Sequence, residues 1–326
     1  MINLRKVYRL PFSKIYTNPK MFVRLVDVMP RVSDDDSVTL NCDKAIVQSA
    51  RVSYGNHEST PDTSTNIKRD KELIKYLVRN RHTSPFEMVE FKFHLAMPIF
   101  IQRQWIRHRT ASVNEISGRY SEFDYNFYHP TILKGQSKDN KQVSSDVLEN
   151  SSENIKRMEE HSERSFELYK ELLKEGVSRE IARTVLPQNL ITEFYWKIDL
   201  HNLLHFIRLR DHPHAQTEIR EYAGDIKELI TRLCPISVEA YDNHFVKGIN
   251  LSGGEVELIK KYSENDFQIP HDMSKGELKG FFNKIDKLGL SKNEPFPRGM
   301  NVSAPTVGVK PGIRAMSTDR SKFFIP

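Results

Sequence analysis

The run EMVEFKFHLAM, residues 87–97, alternates with a period of two. Val89, Phe91, Phe93, Leu95 and Met97 fall on one side, and Glu90, Lys92 and His94 on the other. Successive side chains of a strand point to opposite faces, so the run predicts a strand that buries one face and leaves the other polar. A chain with such a strand must supply a layer to cover the apolar face. The residues around it do so: Pro98 suits the first turn of a helix that carries Ile101, Trp105 and Ile106.

The rest of the chain mixes the same two periods. FVRLVDVM (22–29) and LITEFYWKI (190–198) are β-branched and aromatic enough for strands. DKAIVQSARVSYG (43–55) reads as a helix closed by Gly55, and 66–81 as a helix with Leu73, Ile74, Leu77 and Val78 on one face. A long helix over about 153–175 turns Ile155, Met158, Phe166, Tyr169, Leu172 and Leu173 inward. Ser178 is placed to cap REIARTVLP, which Pro187 ends, and Asp199 to cap LHNLLHFIRLR. Ile219, Tyr222, Ala223, Ile226, Ile230 and Leu233 define a further helix between 214 and 233. The polar segment 133–152 reads as a surface insertion. The order gives an α+β (α/β) fold, with one catalytic domain over 1–248 and an extension over 249–326. Within the extension Leu278, Phe281, Phe282, Ile285 and Leu288 predict one short helix. Beyond it a Pro- and Gly-containing basic tail is expected to be extended or disordered.

Charge and cysteine content narrow the class. The net charge is +6, but six Lys or Arg against Glu294 and Asp319 in residues 291–326 supply +4 of it, so the pI alone does not argue for nucleic acid. No window is apolar enough to span a membrane, and two cysteines, Cys42 and Cys234, are too few for a disulfide framework. The expected location is the cytoplasm, or a host's cytoplasm if the chain is virus-encoded.

Directly after the apolar run MPIFIQRQWI comes RHRTASVNEISGRYSEF, residues 107–123. Its order is cation, small donor, acid, small donor, glycine, cation. Arginine offers a planar fork that matches phosphate or carboxylate oxygens, and Gly118 permits close backbone approach or an unusual φ. Arg179 and Arg183 lie one turn apart in SREIARTVLP. His201, His205, Arg208, Arg210, His212 and His214 crowd the segment 199–222. Three readings stand at this point: a solvated loop with paired arginines, a zinc site on the i,i+4 histidines, or a site for an anionic ligand. No nearby cysteine and no HExxH pattern support zinc, and the arginines would repel a dication, so no metal is expected. Three arginine-rich segments favour the anion.

These residues carry a family resemblance. Arg107-His108-Arg109 followed by seven residues and Ser117 resembles the diagnostic motif of the flavin-dependent thymidylate synthases. ARVSYG (50–55), residues 81–109, YSEFDYNFY (120–128), SREIARTVLP (178–187) and LRDHPHAQTEIREYA (209–223) resemble further blocks of that family, over about residues 20–247. The resemblance implies methylation of dUMP at C5 to dTMP. Methylenetetrahydrofolate is the implied carbon donor, FAD the bound cofactor and NADPH the reductant, in a homotetramer whose sites are shared between subunits. It implies that Gln104, Arg107, Glu115, Ser117, Gly118, Arg119, Arg183 and Arg210 cradle dUMP, with Arg210 promoting ionisation of the uracil. It implies that Ser84, Arg107, His108, Arg109, Glu115, Asp199, His201, His205 and His214 bind FAD, with His82 beside the flavin. Asp199 and His205 stand where some members carry amides, and an acid beside a pyrophosphate is unfavourable. Two rival readings are a nucleic-acid-binding protein and a flavin-binding module without catalysis.

Overall fold

The alternating strand lies in the middle of a five-stranded antiparallel sheet. The computed structural model of the protein describes residues 13–16, 18, 20–30, 42–53, 55, 64–136, 144–263 and 274–290. The tail expected beyond residue 290 lies outside them. Chain order runs β1 (Ser13–Ile15), β2 (Phe22–Met29), α1 (Cys42–Val52), α2 (Ser64–Arg79), α3 (Ser84–Glu87), β3 (Glu90–Pro98) and α4 (Ile99–Trp105). It continues through β4 (Ser112–Glu115), β5 (Lys134–Gln136), β6 (Ser144–Val147), α5 (Ser151–Lys174), α6 (Arg179–Ala182), β7 (Ile191–Asp199), α7 (Leu200–Arg210), α8 (Thr217–Leu233) and α9 (Pro235–Tyr241). Two more helices follow, α10 (Gly253–Ser263) and α11 (Lys275–Lys287). The chain divides into two compact units, Met1–Gly248 and Ile249–Pro326.

In the first unit the sheet order is β1-β2-β3-β7-β4. The β3–β7 register sets Phe91 opposite Ile198, Phe93 opposite Trp196 and Leu95 opposite Phe194, so these six large apolar side chains share one face. Helices α4, α7 and α8 cover that face. Its centre is aromatic: the Trp105 ring lies 5.0 Å from Trp196 and 4.5 Å from Phe206. The opposite face carries Lys92, His94, Glu193, Tyr195 and Lys197; His94 stacks on Tyr195 and reaches Glu193 at 2.6 Å. Both cysteines are free and buried under the helices. Asp43, in the first turn of α1, accepts from the backbone N–H groups of Ile236 and Ser237 at 2.8 and 3.0 Å and so caps α9.

Several expectations change. Residues 87 and 88 do not belong to the strand; Glu87 ends α3, and β3 starts at Glu90. The polar segment 133–152 contains a small antiparallel pair, β5 with β6. Met158 does not turn inward from α5: it is exposed, while Tyr169 and Ser162 are the buried side chains at that face. Ser178 sits at the N-cap of α6, yet its side chain makes no cap hydrogen bond. Asp199 does cap α7, accepting from Asn202 N–H at 2.9 Å.

The second unit is a helix pair. Leu258, Phe281 and Ile285 form its small core, and Lys284 Nζ meets both Glu255 oxygens at 2.6 and 2.7 Å. Leu288 ends outside that core, exposed at the C-cap of α11. Among the described residues no helix is long and apolar enough to cross a membrane.

Candidate active site

The polar stretch after α4 begins as a turn anchored by Trp105, whose ring is fully buried while His108 N–H donates to its carbonyl. The turn leaves Arg107 and Arg109 exposed on either side and brings His108 inward, edge-on to Phe206 at 4.9 Å. There it meets Arg210, the last residue of α7. Arg210 Nε–H donates to His108 Nε2 over 3.0 Å, and Arg210 Nη2 donates to the Gln104 carbonyl over 3.1 Å. That carbonyl belongs to the last turn of α4, where intrahelical donors run out. Because Nε2 accepts, the imidazole is neutral with its proton on Nδ1. Burial, then the neighbouring Arg210, then His205, pulls His108 down to about 4.

Arg210 is half-buried, and burial pulls its guanidinium below its ordinary value. Among the described residues it has no carboxylate partner. Asp211 faces Lys227, which itself sits 2.9 Å from Asp242, and Glu218 accepts from the Tyr128 hydroxyl at 3.1 Å. A cation held by two neutral acceptors, at the mouth of a turn rich in donors, is placed to stabilise negative charge on a ligand.

The segment then becomes β4, which among the described residues pairs only with β7 and forms the edge of the sheet, with all four residues exposed. Its last residue, Glu115, accepts from Gln102 Nε2 at 2.9 Å and from Thr192 Oγ1 at 2.6 Å. Beyond it Ser117 opens a turn, its carbonyl accepting from the N–H groups of Tyr120 and Ser121. Gly118 is buried in that turn. A Cβ there would lie 2.3 Å from Phe123 Cε2 and 3.1 Å from Arg183 Cδ, so glycine is needed for close approach and not for its φ. Arg119 Nε pairs with Glu180 at 3.3 Å, both side chains more than half exposed. Such a pair contributes about 0–1 kcal/mol and gives way readily to a better anion. The paired-arginine reading thus holds for Arg119. It does not hold for Arg107 and Arg109, which make no ion pair among the described residues.

The remaining residues named from the sequence lie around this group. Ser84, exposed, starts α3, and α3 packs against α7. His82 precedes it, exposed and edge-on to Tyr76 at 5.7 Å. His201 is half-buried on α7 and His205 exposed, its Nδ1 3.3 Å from Arg208 Nη2. Burial, then Arg208, then His201, lowers His205 below its ordinary value. His214 is exposed and stacked with His212 at 5.0 Å. Asp199 spends both oxygens on Asn202, as a cap and on its side-chain amide at 2.8 Å. Arg183 is exposed, with Nε 3.4 Å from the Glu180 carbonyl. Among the described residues no group of three His, Cys, Asp or Glu is placed to hold a metal.

Three side chains in this network were not anticipated: Gln102, Thr192 and Gln216, which accepts from Gln104 Nε2 at 2.6 Å. The one hint was an amide, Gln102, inside the apolar run before the motif.

Comparison with known proteins covers the same elements. The family model described as thymidylate synthase complementing protein matches residues 37–236. The chain is 48% identical over 241 residues to a flavin-dependent thymidylate synthase of Thermus thermophilus, covering 74% of this chain and 83% of that one. It is 47% identical over 241 residues to the Dictyostelium discoideum protein of the same name, covering 73% and 77%. Its backbone is similar to a UMP/dUMP methylase, PolB, of Streptomyces cacaoi bound with 5-Br dUMP, with TM-score 0.60, 32% identity, and coverage of 68% and 95%. The family match takes in the Arg107–Arg109 turn, the edge strand and Arg210 together, and the chain belongs to the flavin-dependent thymidylate synthases.

Proposed function

We propose that this chain methylates dUMP at C5 to give dTMP, with methylenetetrahydrofolate as carbon donor, NADPH as reductant and FAD as cofactor. The observation that carries the reading is Arg210, half-buried, pinned by His108 and the Gln104 carbonyl, and without a carboxylate partner among the described residues. A guanidinium so held favours the N3-ionised form of the uracil, which makes C5 electron-rich without a covalent bond to the protein. Neither cysteine supplies a nucleophile. Both are buried, and burial pushes the Cys42 thiol up to about 12 and the Cys234 thiol higher than its ordinary value.

The residues fit an anionic nucleotide beside an anionic cofactor. Arg119 and Arg183 would take the phosphate of dUMP, the first leaving its weak pair with Glu180. Gln104, Arg107, Glu115, Ser117 and Gly118 would line the sugar and base. Ser84, Arg107, His108, Arg109, Glu115, His201, His205 and His214, with His82, would hold FAD, the exposed cations Arg107 and Arg109, without an ion pair among the described residues, suiting its phosphates. Asp199 belongs to this group as the cap that fixes the start of α7. When bound, FAD supplies hydride chemistry, and the protein supplies orientation and charge. We place this activity in the cytoplasm, in a homotetramer with sites shared between subunits. His82 lies edge-on to Tyr76 and makes no hydrogen bond or ion pair with the Arg107–Arg109 turn among the described residues, which supports a site completed by another copy.

The test is Arg210→Ala, assayed for dUMP-dependent flavin oxidation with methylenetetrahydrofolate. Turnover is expected to fall about 100-fold or more while the flavin absorption of the purified protein persists. Near-normal turnover, or a colourless protein in the wild type, overturns the reading.

A further inference from the structure

We infer that Gln102 and Thr192 are positioning residues that fix Glu115 as a hydrogen-bond acceptor for a donor group of the bound nucleotide, a sugar hydroxyl or a base N–H. The inference rests on the reading of Glu115 as a residue facing dUMP. It adds two groups to that site and assigns the kind of contact Glu115 makes.

Glu115 ends a four-residue edge strand whose side chains are all exposed. Left alone, such a side chain samples many rotamers, and binding would have to order it. Two donors remove that freedom. Gln102 stands on the buried side of α4 between Ile101 and Trp105, 3% exposed, and gives Nε2–H to Oε2 over 2.9 Å. Thr192 is also 3% exposed and gives its hydroxyl to Oε1 over 2.6 Å. The register explains the second contact. Glu115 is opposite Phe194 on β7, so Thr192, two residues along, lies diagonally on the same face.

Each carboxylate oxygen accepts one bond from the protein, and each retains a lone pair. A carboxylate accepts only, and it repels phosphate. Within the cradle the anionic end of the nucleotide therefore belongs to Arg119 and Arg183, and Glu115 takes an O–H or N–H. Gln102 has no freedom to serve elsewhere: a buried amide without its acceptor is costly, so Gln102 and Glu115 hold each other in place.

The test compares dUMP affinity, KM and kcat of the flavin-loaded protein for Gln102→Leu, Thr192→Val and Thr192→Ser, each alone and in a Glu115→Ala background. Gln102→Leu and Thr192→Val are expected to weaken dUMP binding about tenfold and raise KM more than they lower kcat. Thr192→Ser, which keeps the hydroxyl, should restore affinity. In the Glu115→Ala background the first two should add less than about twofold, because the group they position is gone. Full, additive losses in that background mean that they act only on packing and overturn the inference. So does wild-type affinity in both variants while the parent binds dUMP. A parent that binds no dUMP overturns the functional reading and this inference together.

Discussion

His108 is neutral because its surroundings make a second positive charge expensive: it is half-buried, and Arg210 already donates to its Nε2. The consequence for pH has a definite sign. The folded value is about 4, below the ordinary ~6.5 that the unfolded chain retains. Between those limits the unfolded state binds the proton and the folded state does not. The contribution to stability is whole above about 6.5 and is lost as pH falls toward 4. Thermal midpoints should therefore drop between pH 7 and pH 4.5, and His108→Gln should flatten part of that slope. An unchanged slope would mean that other groups carry it. Below about pH 4 protonation removes the acceptor, and the Arg210 contact to His108 goes with it.

Among the elements, α9 depends on a residue far away in sequence. Asp43 is buried, accepts from two N–H groups at the start of α9 and from the Ser237 hydroxyl at 2.5 Å, and so ties α1 to α9. Asp43→Ala should cost about 1–2 kcal/mol in urea denaturation, without loss of flavin from the folded protein. A change below a few tenths would show that water replaces the cap. Strands β3 and β7 were legible because Phe91, Phe93 and Leu95, and Phe194, Trp196 and Ile198, bury one face while their neighbours meet solvent. Strand β4 was not, since Ser112 to Glu115 are all exposed and show no alternation; pairing to the β7 edge imposes the extended backbone. Helix α10 escaped notice because only Leu258 anchors its apolar side deeply. In the site, arginines and histidines advertise themselves by charge. Gln102, Thr192 and Gln216 do not, because one amide or hydroxyl has no period and gains meaning only from its partner across the sheet or turn.

At the scale of the whole chain, the first unit contains every residue assigned here to dUMP or FAD, and the second contributes none. We therefore expect a chain ending at residue 290 to fold, bind FAD and make dTMP. Light scattering should give it four times the protomer mass: Val113, Ile116 and Tyr120, the last 78% exposed, offer apolar surface in and after the edge strand that a second copy would cover. A monomeric or insoluble truncation would make the terminal segment an assembly element. The placement of the two cysteines has a practical side. Neither buried, proton-retaining thiol presents a thiolate to reagents, so the native protein is expected to resist alkylating labels. A cysteine introduced at an exposed position such as Ser121 then becomes the one addressable handle per chain. Dyes or spin labels could report on the turn that holds Gly118 with no cysteine first removed from the parent.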